Sequence, residues 1–241
     1  MANNYFQFKK FTIQQDQCSM KVCTDACIFG AYAARHLSTT NTAIKTILDI
    51  GTGTGLLSLL LAQKLATADI TALEINDSAA LQANSNFNES PWSNRLQVLQ
   101  TDVLQFNSTI RYDYIISNPP FFEADLKSPD KNKNAAKHDT TLTLEQLLQV
   151  ADTNLSAVGI FAVLLPFHRV DYFVKLAAKQ GLYLQEKLLV KHTASHPYFR
   201  GILLFTRIPA LVEESELVIK NNTGDYTESF TGLLKDYYLY L

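Results

Sequence analysis

Three glycines at alternate positions constrain this chain more than any other feature. Thr46-Ile47-Leu48-Asp49-Ile50 is apolar enough for a buried strand, and it runs into Gly51-Thr52-Gly53-Thr54-Gly55. Leu56 to Leu65 then reads as a buried helix. A strand, a glycine turn and a helix in that order put bare peptide N–H groups at a helix N-terminus, where a ligand can lie against the backbone. The spacing departs from two common loops. In the dinucleotide fingerprint Gly-x-Gly-x-x-Gly the third glycine falls one residue later than Gly55 does here. No Gly-Lys-Ser/Thr follows, which argues against a triphosphate-binding P-loop.

The rest of the chain repeats the strand–helix alternation. Ile70 to Ile75 is expected to be a second strand with Glu74 at its end, and Asp77 or Ser78 to cap a helix over Ala79–Asn88. Leu96–Leu99 and Tyr112–Ser117 read as the third and fourth strands. Residues 123–140 lack periodicity and are rich in Lys, Asn and Asp, so a mobile loop is expected there. A helix over Thr143–Leu155, a strand over Gly159–Leu165 and a helix over Arg169–Lys179 follow. Tyr183–Lys191 and Gly201–Arg207 are late strands suited to antiparallel pairing, with a short strand at Leu217–Lys220 and an aromatic helix in the tail. The pattern predicts an α/β fold with a doubly wound, mostly parallel sheet. Upstream, residues 5–22 alternate like a strand pair, and Asp25 is placed to cap a helix ending near His36. Residues 1–40 are thus expected to be a strand-rich extension and helix packed on the core, and 41–241 a single domain.

The chain has 241 residues, of which 47% are hydrophobic, enough for one large core. Its net charge of -2 excludes a globally basic surface, so any nucleic-acid contact has to be a local patch. The N-terminus lacks a basic region followed by an apolar stretch, and Leu56–Ala62 is too short to span a bilayer. No membrane association and a cytoplasmic location are expected. Cys18, Cys23 and Cys27 form neither a disulfide framework nor a metal-ligand spacing, so reduced thiols and no metal are expected.

Polar groups end each of the first four predicted core strands. Glu74 can accept hydrogen bonds from both hydroxyls of a ribose, or be an ordinary solvated acid. Asp102 can accept from an adenine amino group, or be a cap or turn residue. The fourth strand runs into Asn118-Pro119-Pro120-Phe121. The Asn118 amide oxygen and the Pro119 carbonyl offer two acceptors for the two hydrogens of an exocyclic amine, and Phe121 offers a face for its ring. The plain alternative is a Pro-Pro loop with core aromatics.

With these motifs placed, the sequence resembles class I S-adenosylmethionine-dependent methyltransferases that act on amino groups, whose Asn/Asp/Ser-Pro-Pro-aromatic motif follows strand four. It is similar over nearly its whole length to the bacterial family that methylates N6 of adenine 37 in tRNA1(Val). The similarity runs from Phe6-x-Phe8-Lys9-x-Phe11 and Met20-Lys21-Val22-x-Thr24-Asp25, through Asp49 to Gly55, Asn118 to Phe122 and Ala136-Lys137-His138-Asp139. It ends with Tyr226-Thr227 and Leu234-Lys235-Asp236-Tyr237-Tyr238-Leu239. Phe121 stands where many relatives have tyrosine, and Lys137 where arginine is expected.

The resemblance implies a seven-stranded Rossmann-like methyltransferase sheet with an antiparallel late strand, S-adenosylmethionine as cofactor and tRNA as partner. Cofactor contacts then fall to Lys21, Thr24, Asp49, Gly51, Gly53, Gly55, Glu74, Asp102 and Asn118. Asn118, Pro119 and Phe121 form the catalytic grip, with Phe121 favoured over Phe122 for stacking on the base. Lys127, Lys131, Lys133, Lys137 and His138 are either a phosphate clamp that orders on RNA or a solvated face. No general base is nominated, and a monomer is expected. A protein glutamine N5-methyltransferase acting on a release factor would use the same grip. Such enzymes carry a helical N-terminal substrate domain, whereas the lead-in here is short and strand-like.

Overall fold

The computed structural model describes residues 3–18, 20–40, 43–120 and 142–241. A short hairpin of β1 (Tyr5–Gln7) and β2 (Thr12–Gln14) precedes helix α1 (Thr24–Thr39). The core then alternates β3 (Thr46–Ile50), α2 (Leu56–Lys64), β4 (Asp69–Glu74), α3 (Asp77–Asn88), β5 (Leu96–Gln100) and β6 (Tyr112–Ser117). After residue 141 come α4 (Leu144–Asn154), β7 (Leu155–Pro166), α5 (Val170–Lys179), β8 (Tyr183–Lys191), β9 (Tyr198–Thr206), β10 (Glu213–Val218) and α6 (Glu228–Leu234).

The main sheet runs β10-β8-β9-β7-β6-β3-β4-β5. Every neighbouring pair is parallel except those of β9, which is antiparallel to both β7 and β8. The doubly wound sheet with its antiparallel late strand is therefore present, with eight strands among the described residues where seven were expected. The eighth is β10, where a short strand over Leu217–Lys220 was expected; the strand instead runs over Glu213–Val218. It reads as polar in sequence because Glu213, Glu214 and Glu216 face solvent, and Lys187 and Lys191 of β8 pair with Glu214 and Glu216 at 2.7 and 2.9 Å.

Strand alternation divides the core in two. Ile47, Ile70, Tyr114, Ile116, Ala162 and Leu164 face one side, beneath α1, α2 and α6. Leu48, Leu73, Ile115, Phe161, Val163 and Leu165 face the other, beneath α4 and α5. Helix α2 is leucine-rich on every side because it lies buried between the sheet and α1. Helix α5 is one-sided, burying Val170, Phe173 and Ala177 at helical spacing. Phe8, Phe11 and Ile13 of the lead-in join the first core.

Two cap assignments differ from expectation. Helix α1 starts one residue before Asp25, behind Cys23, and the Asp25 carboxylate instead accepts from Arg200 Nε at 2.7 Å. Helix α3 is capped by Asn76, whose side chain accepts from Ala79 N–H at 3.0 Å. Both shifts are a residue or two at a frayed boundary, where several short polar side chains compete to cap.

Candidate active site

The order of strands reverses at β3. From β3 the chain moves outward through β4 and β5, then returns to β6 on the opposite side. Such a switch point leaves a crevice beyond the carboxyl ends of the strands. The registers bring those ends level, since Ile50 pairs with Leu73 on one side and Ser117 on the other. One residue further, Gly51 stands between Glu74 and Asn118, with neighbours about 5 Å apart from strand to strand. The glycine loop and the Asn-Pro-Pro segment thus share one edge, as the sequence expectation required.

The three glycines divide their work. All have positive φ, at 71° for Gly51, 56° for Gly53 and 84° for Gly55, a region that costs an L-residue roughly 1–2 kcal/mol. A Cβ at Gly55 would lie 2.5 Å from Phe87, so this glycine lets α3 pack against the loop. A Cβ at Gly51 or Gly53 would meet no heavy atom within 4 Å among the described residues. Their bare backbone faces the crevice, so the cradle fits a ligand laid on it.

Asp49 shapes this loop from below. Its side chain is 0% exposed, and Oδ2 accepts from Thr52 Oγ1 and Ser58 Oγ, both at 2.7 Å. Burial raises the carboxyl to about 6, with the Glu74 charge adding to the rise and the two hydroxyls opposing it. Its Oδ1 has no hydrogen-bond partner among the described residues. Thr52 and Ser58 were not singled out in the sequence, although a serine within a leucine helix is a signal, because a buried hydroxyl needs a partner.

Glu74 reaches the same loop. Its Oε2 accepts from Gly53 N–H and its Oε1 from Asn76 N–H, both at 2.9 Å. A carboxylate has about four acceptor positions, so capacity remains for a diol. Asp102 sits two residues past β5, where Oδ1 accepts from Leu104 N–H at 2.9 Å in a local turn. Asn118 is half-buried, and its Oδ1 is enclosed without a partner among the described residues. A buried acceptor left open at a crevice is what an incoming amine would satisfy. Pro119 is buried beside it and Pro120 is exposed.

The remaining candidates are placed less centrally. Lys21 is exposed, with Nζ donating to Asn3 O at 3.2 Å, and Thr24 is the exposed first residue of α1. Phe121, Phe122, Lys127, Lys131, Lys133, Lys137 and His138 lie outside the described residues. One residue the sequence reading missed is Asn86, 1% exposed on α3. Its amide donates to Gln14 O at 2.9 Å and Thr54 O at 2.8 Å, and accepts from Gln14 N–H at 2.9 Å. It thereby ties the lead-in, α3 and the glycine loop together.

Residues 30–166 match the methyltransferase small domain family. A tRNA1(Val) (adenine(37)-N6)-methyltransferase from Bacteroides fragilis is 39% identical over 242 residues, covering 99% of each chain. Its counterpart in Dyadobacter fermentans is 42% identical over 241 residues, covering 98% of each. The chain belongs to the tRNA1(Val) (adenine(37)-N6)-methyltransferase family. Members are S-adenosylmethionine-dependent enzymes, and S-adenosylmethionine is the methyl donor here. Among solved structures, a protein from Agrobacterium tumefaciens described as a predicted O-methyltransferase superposes with a TM-score of 0.66. At 16% identity, covering 88% of this chain and 96% of that one, it shares the methyltransferase fold.

Proposed function

We propose that the protein transfers a methyl group to N6 of an adenine in tRNA, adenine 37 of tRNA1(Val) being the target, and that it works in the cytoplasm. The observation that carries this reading is the enclosed, open acceptor of Asn118 one strand from the bare backbone of Gly51 and Gly53. Full-length similarity to relatives named for this activity supports it.

S-adenosylmethionine, when bound, supplies a methyl group already activated as a sulfonium. The chain's own task is positioning. Gly51 and Gly53 give a backbone floor, Glu74 accepts from the ribose hydroxyls, and Asp102 from the adenine amino group. Asp49 holds the loop through Thr52 and Ser58. Lys21 and Thr24 border the methionine end. Asn118 Oδ1 and the Pro119 carbonyl accept the two N6 hydrogens of the target, favour a pyramidal nitrogen and stabilise the positive charge that develops on it. The excess proton passes to water after transfer, so no base is assigned. Phe121 replaces the stacking lost when the base leaves its neighbours. Phe122 and the cations Lys127, Lys131, Lys133, Lys137 and His138 complete the RNA contact.

The test is labelled methyl transfer to unmodified tRNA, read by nucleoside mass spectrometry. N6-methyladenosine is expected from the native protein. Asn118→Ala should lower kcat roughly 100- to 1,000-fold, by analogy with loss of one transition-state hydrogen bond, while calorimetry shows donor binding retained and weakened by no more than about tenfold, the loss of one contact. Label in a protein glutamine instead of RNA would replace this reading with the glutamine alternative.

A further inference from the structure

The carboxyl edge of the sheet continues beyond Asn118, and its far half carries a second group of aromatic and basic side chains. Ser117 of β6 pairs with Val163, and β7 runs on to Pro166, which pairs with Arg200 of β9. Strand β8 ends at the same edge, where Lys191 pairs with Tyr198. The turn after β7 and the β8–β9 hairpin therefore rise beside the Asn118 crevice, one to three strands away, or about 5–15 Å.

The composition here is one-sided. No Asp or Glu occurs between Lys187 and Val212, or between Thr153 and Val170, and three of the five histidines, His168, His192 and His196, fall in these two segments. Two of the acids at this edge are engaged: Asp25 holds Arg200, and Glu216 holds Lys191 and accepts from Tyr198 Oη at 2.7 Å, while Asp171 in the first turn of α5 and Asp225 after β10 are exposed. The rings are arranged rather than scattered. Exposed His192 lies flat on Phe199, with centroids 4.1 Å apart and planes 7° apart, and His196 stands edge-on to it at 6.2 Å. Phe167, 39% exposed, packs against Tyr198 at 5.3 Å, and Lys191 Nζ lies 4.4 Å over the Tyr198 ring. The Arg200–Asp25 pair fastens this wall to the start of α1.

We propose that the β8–β9 hairpin, with Phe167, is the docking surface for the single-stranded nucleotides flanking the methylated adenine, His192 being a stacking platform for one of their bases. This inference rests on the RNA reading above and deepens it. Flat rings next to cations, on two segments that carry no Asp or Glu of their own, suit single-stranded RNA, because every base has a face to stack and every nucleotide a phosphate to neutralise. A base flipped toward Asn118 leaves its neighbours unstacked about one to three strand widths away, where these rings stand.

The experiment compares the native protein, His192→Ala, a Phe167→Ala/His196→Ala double variant, and Tyr183→Ala as control. Tyr183 is an exposed aromatic at the opposite end of β8. Steady-state methylation of unmodified tRNA is measured with thermal melting and donor calorimetry on each protein. His192→Ala should raise KM for tRNA on the order of tenfold with a much smaller change in kcat. The double variant should behave alike, and the control should not change. Native-like KM in folded, donor-binding hairpin variants overturns the inference while the RNA reading stands. Failure of the native protein to methylate tRNA overturns the RNA reading, and this inference with it.

Discussion

At the scale of single residues, the buried Asp49 carboxyl sets a pH dependence whose direction is fixed. Its ordinary value is 3.8 and burial raises it to about 6. Between those values the folded state holds a proton there that the unfolded chain has released. Asp49 therefore favours folding most below about pH 4 and loses that advantage as pH rises through about 6, a difference of roughly 3 kcal/mol. Asp49→Asn keeps an oxygen for Thr52 and Ser58 but cannot ionise. Urea unfolding from about pH 4 to about pH 7 should show stability falling less with pH in the variant, by roughly 3 kcal/mol; parallel profiles would mean that the carboxyl is not held in this way. The glycines separate by a different measurement. Gly55→Ala drives a methyl into Phe87 and should cost roughly 2–4 kcal/mol, combining backbone strain and overpacking. Gly53→Ala should cost about 1–2 kcal/mol in stability and weaken donor binding more than that strain alone explains. Melting and calorimetry on the same samples distinguish the two.

Between elements, the glycine loop depends on partners far away in sequence. Asn86 joins Thr54 to Gln14, and Gln82 accepts from Gln17 N–H at 3.0 Å, so α3 fastens the lead-in beside the loop. Asn86→Ala leaves the Gln14 N–H and two carbonyls without this partner. A loss of about 2–4 kcal/mol is expected from several buried groups at once. Hydrogen exchange should rise at residues 12–18 and 51–55 before the rest of the sheet, and uniform exchange would contradict the tie. Much of this was legible in part. The strand–glycine–helix pattern around Gly51 to Gly55 announced itself through local conformation. Asn86 did not, because its use appears only when α3 is folded against a segment 72 residues away.

Across the whole molecule, the two ends are clasped. Phe8 bridges Tyr238, Lys9 N–H donates to Tyr237 O at 2.7 Å, and Tyr237 Oη donates to Leu60 O at 3.1 Å inside α2. Phe6, Phe8, Phe11 and Tyr238 form one aromatic group that reaches the single tryptophan, Trp92, 5.7 Å from Phe11. Trp92 fluorescence thus reports the clasp, while far-UV circular dichroism reports the sheet and helices. In denaturant the two should change together if the molecule unfolds as a unit. Phe8→Ala should lower stability by about 3–5 kcal/mol and shift both transitions. An early Trp92 transition with an unchanged sheet would show that the clasp opens independently.

The sequence by itself determined what local chemistry controls: the glycine turn, the alternation of strands and helices, and the two acceptors of Asn118-Pro119. These depend on neighbours within a few residues, so a linear reading reaches them. Only the tertiary structure decided that Gly51, Glu74 and Asn118 stand level. Sheet register and strand order settle that, and both arise from packing over dozens of residues. The same holds for the start of β10 at Glu213, four residues before the expected strand, set by pairing with β8 where Lys187 and Lys191 lie beside Glu214 and Glu216, and for the His192–Phe199 stack, made only when the β8–β9 hairpin closes.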